Sequence, residues 1–294
     1  VWQNGNSQIA RFARSHIALA CGSSLMIWDC IHFFNEVDIV DLRFQKLENV
    51  VSKFLILEGD KTHQNVSKPY NFPLNKFKEK YGDKILYFPV HLKETTKWGL
   101  ENENRRLIFE KLLEIGAKDN DLVFFSDADE IFNPDTLNND KIKNIKSPIG
   151  LTQMNFVFND KFWCNTCTVG TICAKFGSLK SINKISGDCL NYLRDRRNFI
   201  PRIENGGRHL SYNGDINTIM QKCSAIAEGN LDYNTDSGKE KLLQYINDAS
   251  QGKPFSFAPY GITDITNFPS VSELNYWTVY QNQWRQERGN FSVR

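Results

Sequence analysis

The chain has 294 residues, 40% of them hydrophobic and 13% aromatic, enough to bury one large core. Lys and Arg total 36 against 34 for Asp and Glu, a formal charge of +2. The basic excess that dominates nucleic-acid affinity is missing, and a membrane-surface role gets no support.

Residues 1–24 read as an N-terminal extension. Arg11 and Arg14 precede an apolar stretch from Ile17 to Met26 that loosely resembles a signal peptide. It runs without a cleavage-like break into Leu25-Met-Ile-Trp-Asp29, which reads as the first core strand. No apolar run reaches the ~20 residues a bilayer span needs, so no membrane segment is expected.

A strand–helix alternation follows. Leu25 to Cys30 is a short apolar run, and Asn35 offers an N-cap with Glu36 and Asp38 behind it. Val37, Val40, Phe44, Leu47 and Val51 then recur at helical spacing. Phe54 to Leu57, ending in Glu58, reads as a strand buried on both faces, and Lys84 to Val90 as another. Residues 98–116 form a helix with Trp98, Glu101, Arg105, Ile108, Leu112 and Ile115 on one face. Leu122 to Phe125 is a strand ending in Ser126-Asp-Ala-Asp-Glu130. This rhythm predicts an α/β fold with a mostly parallel central sheet, flanking helices and ligands at the strands' carboxyl ends.

Beyond Pro134 the pattern changes to a smaller antiparallel portion, with strands at Gly150 to Phe158 and Thr171 to Phe176. Asp215 or Gly214 opens a helix, and Lys239 to Ala249 forms another. The tail from Gln251 carries Pro254, Pro259 and Pro269 and should wrap the surface. Residues 25–250 are thus expected to be a single domain, with 251–294 as a wrapping tail.

The sharpest chemical signal is Asp127-Ala-Asp129 directly after an apolar strand. Alternate residues at a strand end can aim two carboxylates at one site, and a hard divalent ion such as Mg2+ or Mn2+ needs such oxygen ligands. In isolation the same triplet also fits a solvated turn. Glu101 and Arg105 extend the buried helix stripe, where an ion pair or a site at the core rim both fit. His209 follows two glycines, Gly206 and Gly207, and neutral imidazole is a competent third metal ligand. Cys164, Cys167 and Cys173 form a dense patch, but nothing nearby completes four zinc ligands. Strand-facing thiols are the stronger expectation. The odd total of seven cysteines fits a reducing compartment better than a secreted framework.

The segment Asp29-Cys-Ile-His-Phe-Phe-Asn-Glu-Val-Asp38, followed by Asp41-Leu-Arg43, resembles the opening signature of glycosyltransferase family 17. The likeness continues through Phe54 to Glu58, Thr62-His63, Lys68-Pro69, Trp98, Glu101, Arg105 and Ser126-Asp-Ala-Asp-Glu-Ile131. It ends with the segment 206–212, Lys222 and Ser224. This family adds bisecting N-acetylglucosamine to N-glycans through β-1,4-mannosyl-glycoprotein 4-β-N-acetylglucosaminyltransferase activity.

The resemblance implies a GT-A (Rossmann-like) fold, a UDP-sugar donor such as UDP-N-acetylglucosamine, a glycan acceptor and inversion at the anomeric carbon. It also implies a divalent metal (Mn2+ or Mg2+) held by Asp127, Asp129 and His209. Arg208 stands where the family usually has tryptophan, which bears on donor or acceptor packing. Asn104 replaces a common glutamine.

Asp215 is the expected catalytic base, although an N-cap role fits it as well, and Asp188 and Glu130 are rivals. Glu58 is expected on the ribose or base, Lys68 and Arg105 on the phosphates, and Trp98, Glu101 and Asp127 beside the donor. The expected location is soluble: bacterial or viral cytoplasm, or a Golgi-type catalytic domain trimmed of its anchor. A glycoside hydrolase and a non-catalytic carbohydrate-binding protein are the competing classes.

Overall fold

The computed structural model describes residues 25–253 apart from 160, 228 and 230, together with the backbone of 255–257, 261–263 and 266–267. The expected extension at 1–24 and most of the expected tail lie outside the described residues.

Strand β1 (Ile27–Phe33), helix α1 (Val37–Leu47), β2 (Lys53–Gly59), α2 (Leu74–Tyr81), β3 (Ile85–Val90), α3 (Lys97–Glu114) and β4 (Leu122–Asp127) alternate as the sequence predicts. Then come β5 (Glu130–Phe132), α4 (Asp140–Lys143), β6 (Ile149–Val157), β7 (Phe162–Lys175), α5 (Phe176–Ser186) and α6 (Cys189–Asp195). Strand β8 (Arg202–Ser211) and helices α7 (Ile216–Ala225) and α8 (Asp236–Ser250) follow. The sheet runs in the order β3-β2-β1-β4-β7-β6-β8-β5. Strands β3, β2, β1 and β4 are parallel, while β7 enters antiparallel to both β4 and β6. The fold is mixed α/β with a parallel sheet at its centre.

Successive strand residues face opposite sides of a sheet, so a strand covered on both sides must be apolar throughout. Ile31, Phe33, Phe54, Ile56 and Phe124 pack on one face against Val40, Phe44 and Leu47 of α1 and Phe77 and Tyr81 of α2. Trp28, Cys30, Leu55, Leu57, Val123 and Phe125 pack on the other against Ile108 and Leu112 of α3, Leu179 of α5 and Leu190 of α6. The two layers leave only the strand ends open to ligand.

Several local expectations are corrected. Glu36, not Asn35, occupies the N-cap position of α1; its side chain makes no cap bond to the helix, and its Oε2 instead accepts from the N–H groups of Phe34 and Asn35 in the turn before it. Helix α3 buries Leu100, Asn104, Ile108 and Leu112, so Trp98 falls off that stripe and is 54% exposed. The strand expected to begin at Thr171 starts at Phe162. Cys164, Cys167 and Cys173 are divided among three separate apolar clusters, which gives each a packing role. Burial pushes the Cys167 thiol up to about 12.

Candidate active site

Strand order reverses at β1, which has β2 on one side and β4 on the other. In open α/β sheets the crevice at such a switch point is where ligands bind. Here His32 of β1 sits opposite Asp127 of β4. The cleft around them, about 980 Å3 with its open mouth included, is lined by Lys61, His63, Lys68, Glu101, Asp129 and Lys222 among others.

The acidic turn after β4 is held from below. Arg43 of α1 is fully buried and binds Asp29 of β1 through two nitrogens, at 2.7 and 2.6 Å. Its remaining donors reach Ser126 Oγ at 2.8 Å and the carbonyls of Asp127, Ala128 and Glu130 at 3.2, 3.2 and 3.0 Å. A buried charge is tolerated when it is paired and its other donors are satisfied, as here. The Asp29 and Arg43 of the opening signature therefore clasp the turn that carries Asp127 and Asp129.

Asp127 meets two guanidiniums: Arg194 at 2.6 Å from Oδ2 and Arg105 at 3.2 Å from Oδ1. Burial alone would raise its pKa, but Arg194 and Arg105 outweigh burial and hold it well below the usual carboxylate range. Arg105 also binds Glu101 at 2.5 Å, and Arg194 binds Glu130 at 2.7 Å. Asp129 is held by Lys222 at 2.5 Å on Oδ2, with His209 Nε2 at 3.6 Å from Oδ1. Burial again works against its charge, and Lys222 with His209 overcomes it. Reciprocally, Asp129 raises the His209 pKa against the lowering effect of burial.

His209 reaches this position through glycine. Gly207 has φ +146°, and a Cβ there would lie 2.2 Å from the Ile131 carbonyl oxygen. The absence of a side chain lets β8 close on β5. Arg208, next along the strand, is fully buried, stacks its guanidinium 4.3 Å from the Phe156 ring centre and does not line the cleft.

The expected three-ligand metal set is not assembled. Among the described residues no group of three or more His, Cys, Asp or Glu side chains is disposed to hold an ion. Asp127 has both oxygens on guanidiniums. A pair does fit: Asp129 Oδ1 and His209 Nε2 lie 3.6 Å apart on the cleft wall. Asn155 Oδ1, 3.3 Å from His209 Nδ1, can accept the ring N–H and leave Nε2 as the lone-pair nitrogen, with the Ser211 hydroxyl 2.9 Å away. Two protein donors suit a divalent ion that takes its other ligands from phosphate and water.

The remaining expectations divide. Lys68 and Glu101 line the cleft, whereas Glu58 and Trp98 do not. Glu58 is fully buried and accepts from Lys68 Nζ at 2.6 Å, Asn71 N at 2.7 Å, Phe72 N at 3.1 Å and Tyr87 Oη at 2.7 Å. Its work is to pin the loop that presents Lys61, His63 and Lys68.

Asp215, the expected base, is exposed, caps α7 through Thr218 N at 2.8 Å and does not line the cleft, which is the geometry of a helix cap. Asp188 caps α6, and Glu130 is buried against Arg194. No sequence pattern points to a site role for Arg194, His32 or Arg43, and His63 and Lys222 enter only as points of likeness to the family. Arg43, His32, His63 and Lys222 stand inside the quoted segments, which was a usable signal. Arg194 lies in a short helix without periodicity and gave none.

A sheet with a parallel centre and a charged cleft at its switch point defines an α/β protein with a ligand site at the strand ends. The family model for glycosyltransferase family 17 matches residues 6–181, more than half of the chain, and the chain belongs to that family and is a glycosyltransferase. The matched span includes the acidic turn and ends before Arg194, His209 and Lys222. No curated protein matches the chain. Among solved structures, the inositol-1-phosphate CTP transferase from T. maritima matches with 10% identity over 65% of this chain and 87% of that one. Its TM-score of 0.35 is too low to carry an argument. Among the described residues no helix is long and apolar enough to cross a membrane.

Proposed function

We propose that the chain is an inverting transferase of the GT-A type that moves N-acetylglucosamine from UDP-N-acetylglucosamine to a hydroxyl of a glycan acceptor, with Mn2+ or Mg2+ bound at Asp129 and His209. The observation that carries this reading is the acidic turn, clasped by Arg43 at the sheet's switch point and facing the cationic side chains of Lys61 and Lys68 across one cleft. A diphosphate needs that balance of cations, and the sugar it carries would lie over the strand ends. A divalent ion held there supplies Lewis-acid stabilisation to the departing nucleoside diphosphate.

The chain's own residues supply the rest. Lys68 keeps one ammonium N–H on Glu58 and another on the Pro69 carbonyl, at 2.6 and 3.1 Å, so its charge is fixed at the cleft wall. Arg105 and Arg194 keep Asp127 ionised and oriented. The acceptor proton needs a base facing the cleft. Both carboxylate oxygens are engaged in Glu36, by two backbone N–H groups and by Lys222, in Asp127, by Arg194 and Arg105, and in Asp129, by Lys222 and His209. Glu101 lines the cleft with one oxygen on Arg105 and is the carboxylate we assign as base.

The test is incubation with UDP-N-acetylglucosamine, Mn2+ and a panel of defined N-glycans, followed by mass spectrometry. Gain of one N-acetylhexosamine, lost in Glu101→Gln with nucleotide binding retained, supports the reading. No transfer from any nucleotide sugar by folded protein overturns it.

A further inference from the structure

Lys222 is the cation whose position the reaction outlined above does not use. It projects from α7 into the cleft, is 14% exposed, and its Nζ lies 2.5 Å from Asp129 Oδ2 and 3.8 Å from Glu36 Oε1. Among the described residues only the contact to Asp129 is a hydrogen bond, so the ammonium has donors to spare. The same carboxylate is the better of the two oxygen sites for a divalent ion. Lys222 and such an ion therefore compete for Asp129: two cations sharing one small carboxylate repel each other strongly in a partly buried site. A lysine side chain turns on a flexible four-carbon stem, and its ammonium is a compact point charge suited to phosphate.

We propose that Lys222 is a two-position counter-ion: it holds Asp129 while the cleft is empty, and it turns to the donor's diphosphate when Asp129 takes a divalent ion. The inference rests on the nucleotide-sugar reading and adds a phosphate ligand to it. It accounts for how a buried Asp129 stays ionised and oriented without donor. It also explains why the acidic turn presents its second carboxylate to a lysine while its first is locked by two arginines. The arginines are themselves tied to Glu101 and Glu130, whereas Lys222 meets its second carboxylate, Glu36, only at long range.

The experiment measures two affinities by calorimetry in wild type, Lys222→Met and Lys222→Arg: Mn2+ alone, and UDP or inorganic pyrophosphate with Mn2+ present. Lys222→Met should bind Mn2+ alone about threefold or more tightly, because the competing charge is gone. It should bind UDP and pyrophosphate about tenfold or more weakly, because a charge-assisted contact is lost. Lys222→Arg should keep diphosphate affinity near that of wild type.

Opposite signs for the two ligands are the signature; a merely structural role would weaken both. If Lys222→Met binds both diphosphates as tightly as wild type, the assignment of Lys222 is overturned while the donor reading stands. If folded wild type binds no UDP with or without Mn2+, the donor reading fails and this inference with it.

Discussion

Arg194 Nη2 lies 2.6 Å from Asp127 Oδ2 and 2.7 Å from Glu130 Oε1, so one guanidinium from α6 ties the first aspartate of the acidic turn to the strand behind it. Its other terminal nitrogen donates to the Gly170 carbonyl at 2.8 Å. Removing it strands a buried carboxylate, Glu130, and frees a second. Arg194→Met should cost about 3–5 kcal/mol, the usual penalty for breaking a buried ion pair from one side. Urea unfolding measures it, and a loss below about 1 kcal/mol would place the pair in the weak, surface-like class.

Asp215→Ala separates a cap from a base. The side chain accepts from Thr218 N and faces solvent, so its loss should lower the melting temperature slightly through the missing helix cap. Turnover should stay within about twofold of wild type; a loss of a hundredfold or more, the scale of a missing general base, would return Asp215 to the mechanism.

Glu58→Ala should remove the anchor of the loop that carries His63 and Lys68. Lys68 loses its buried partner and two backbone N–H groups lose their acceptor. About 3 kcal/mol should be lost in urea unfolding, together with weaker nucleotide binding. Unchanged binding would mean that the loop does not need Glu58 to reach its position.

The parallel core could be read from the sequence because its strands are apolar on both faces, as Phe54 to Leu57 and Leu122 to Phe125 show. The acidic turn was visible for the same reason: Asp127 and Asp129 follow such a run directly. Helix α2 was not, because only Phe77 and Tyr81 of its residues are buried and two positions make no stripe. Glu58 looked like a ligand because it ends a strand at the binding edge. Its four partners come from Lys68, Asn71, Phe72 and Tyr87, and one sequence cannot show which side chains fold back. Arg194 pairs with Asp127 across 67 residues and Lys222 with Asp129 across 93. Those contacts depend on β7 returning antiparallel beside β4 and on β8 pairing with β5, which no local pattern encodes.

His63 gives a pH signature. Burial, then the nearby His32 and Arg105 charges, lowers its pKa from 6.5 to about 3. The folded state therefore holds the ring neutral while the unfolded chain takes up a proton, so the unfolded state binds more protons between these values. Stability contributed by the neutral ring is present above pH 6.5 and is lost as pH falls toward 3. Wild type should lose up to about 1.4 kcal/mol more per pH unit in this window than His63→Asn. Parallel slopes in acid-series urea melts would show that His63 titrates normally.

If the acidic turn serves a nucleotide sugar through Asp129, donor binding must depend on that carboxylate and on the ion it holds. Calorimetric titration of UDP-N-acetylglucosamine into the protein, with Mn2+ and with chelator, tests it most directly, alongside Asp129→Asn. Binding should require the ion in wild type and be lost in the variant while the fold is retained. Nucleotide-sugar binding that is equally strong in Asp129→Asn, or none at all in folded wild type, would contradict it.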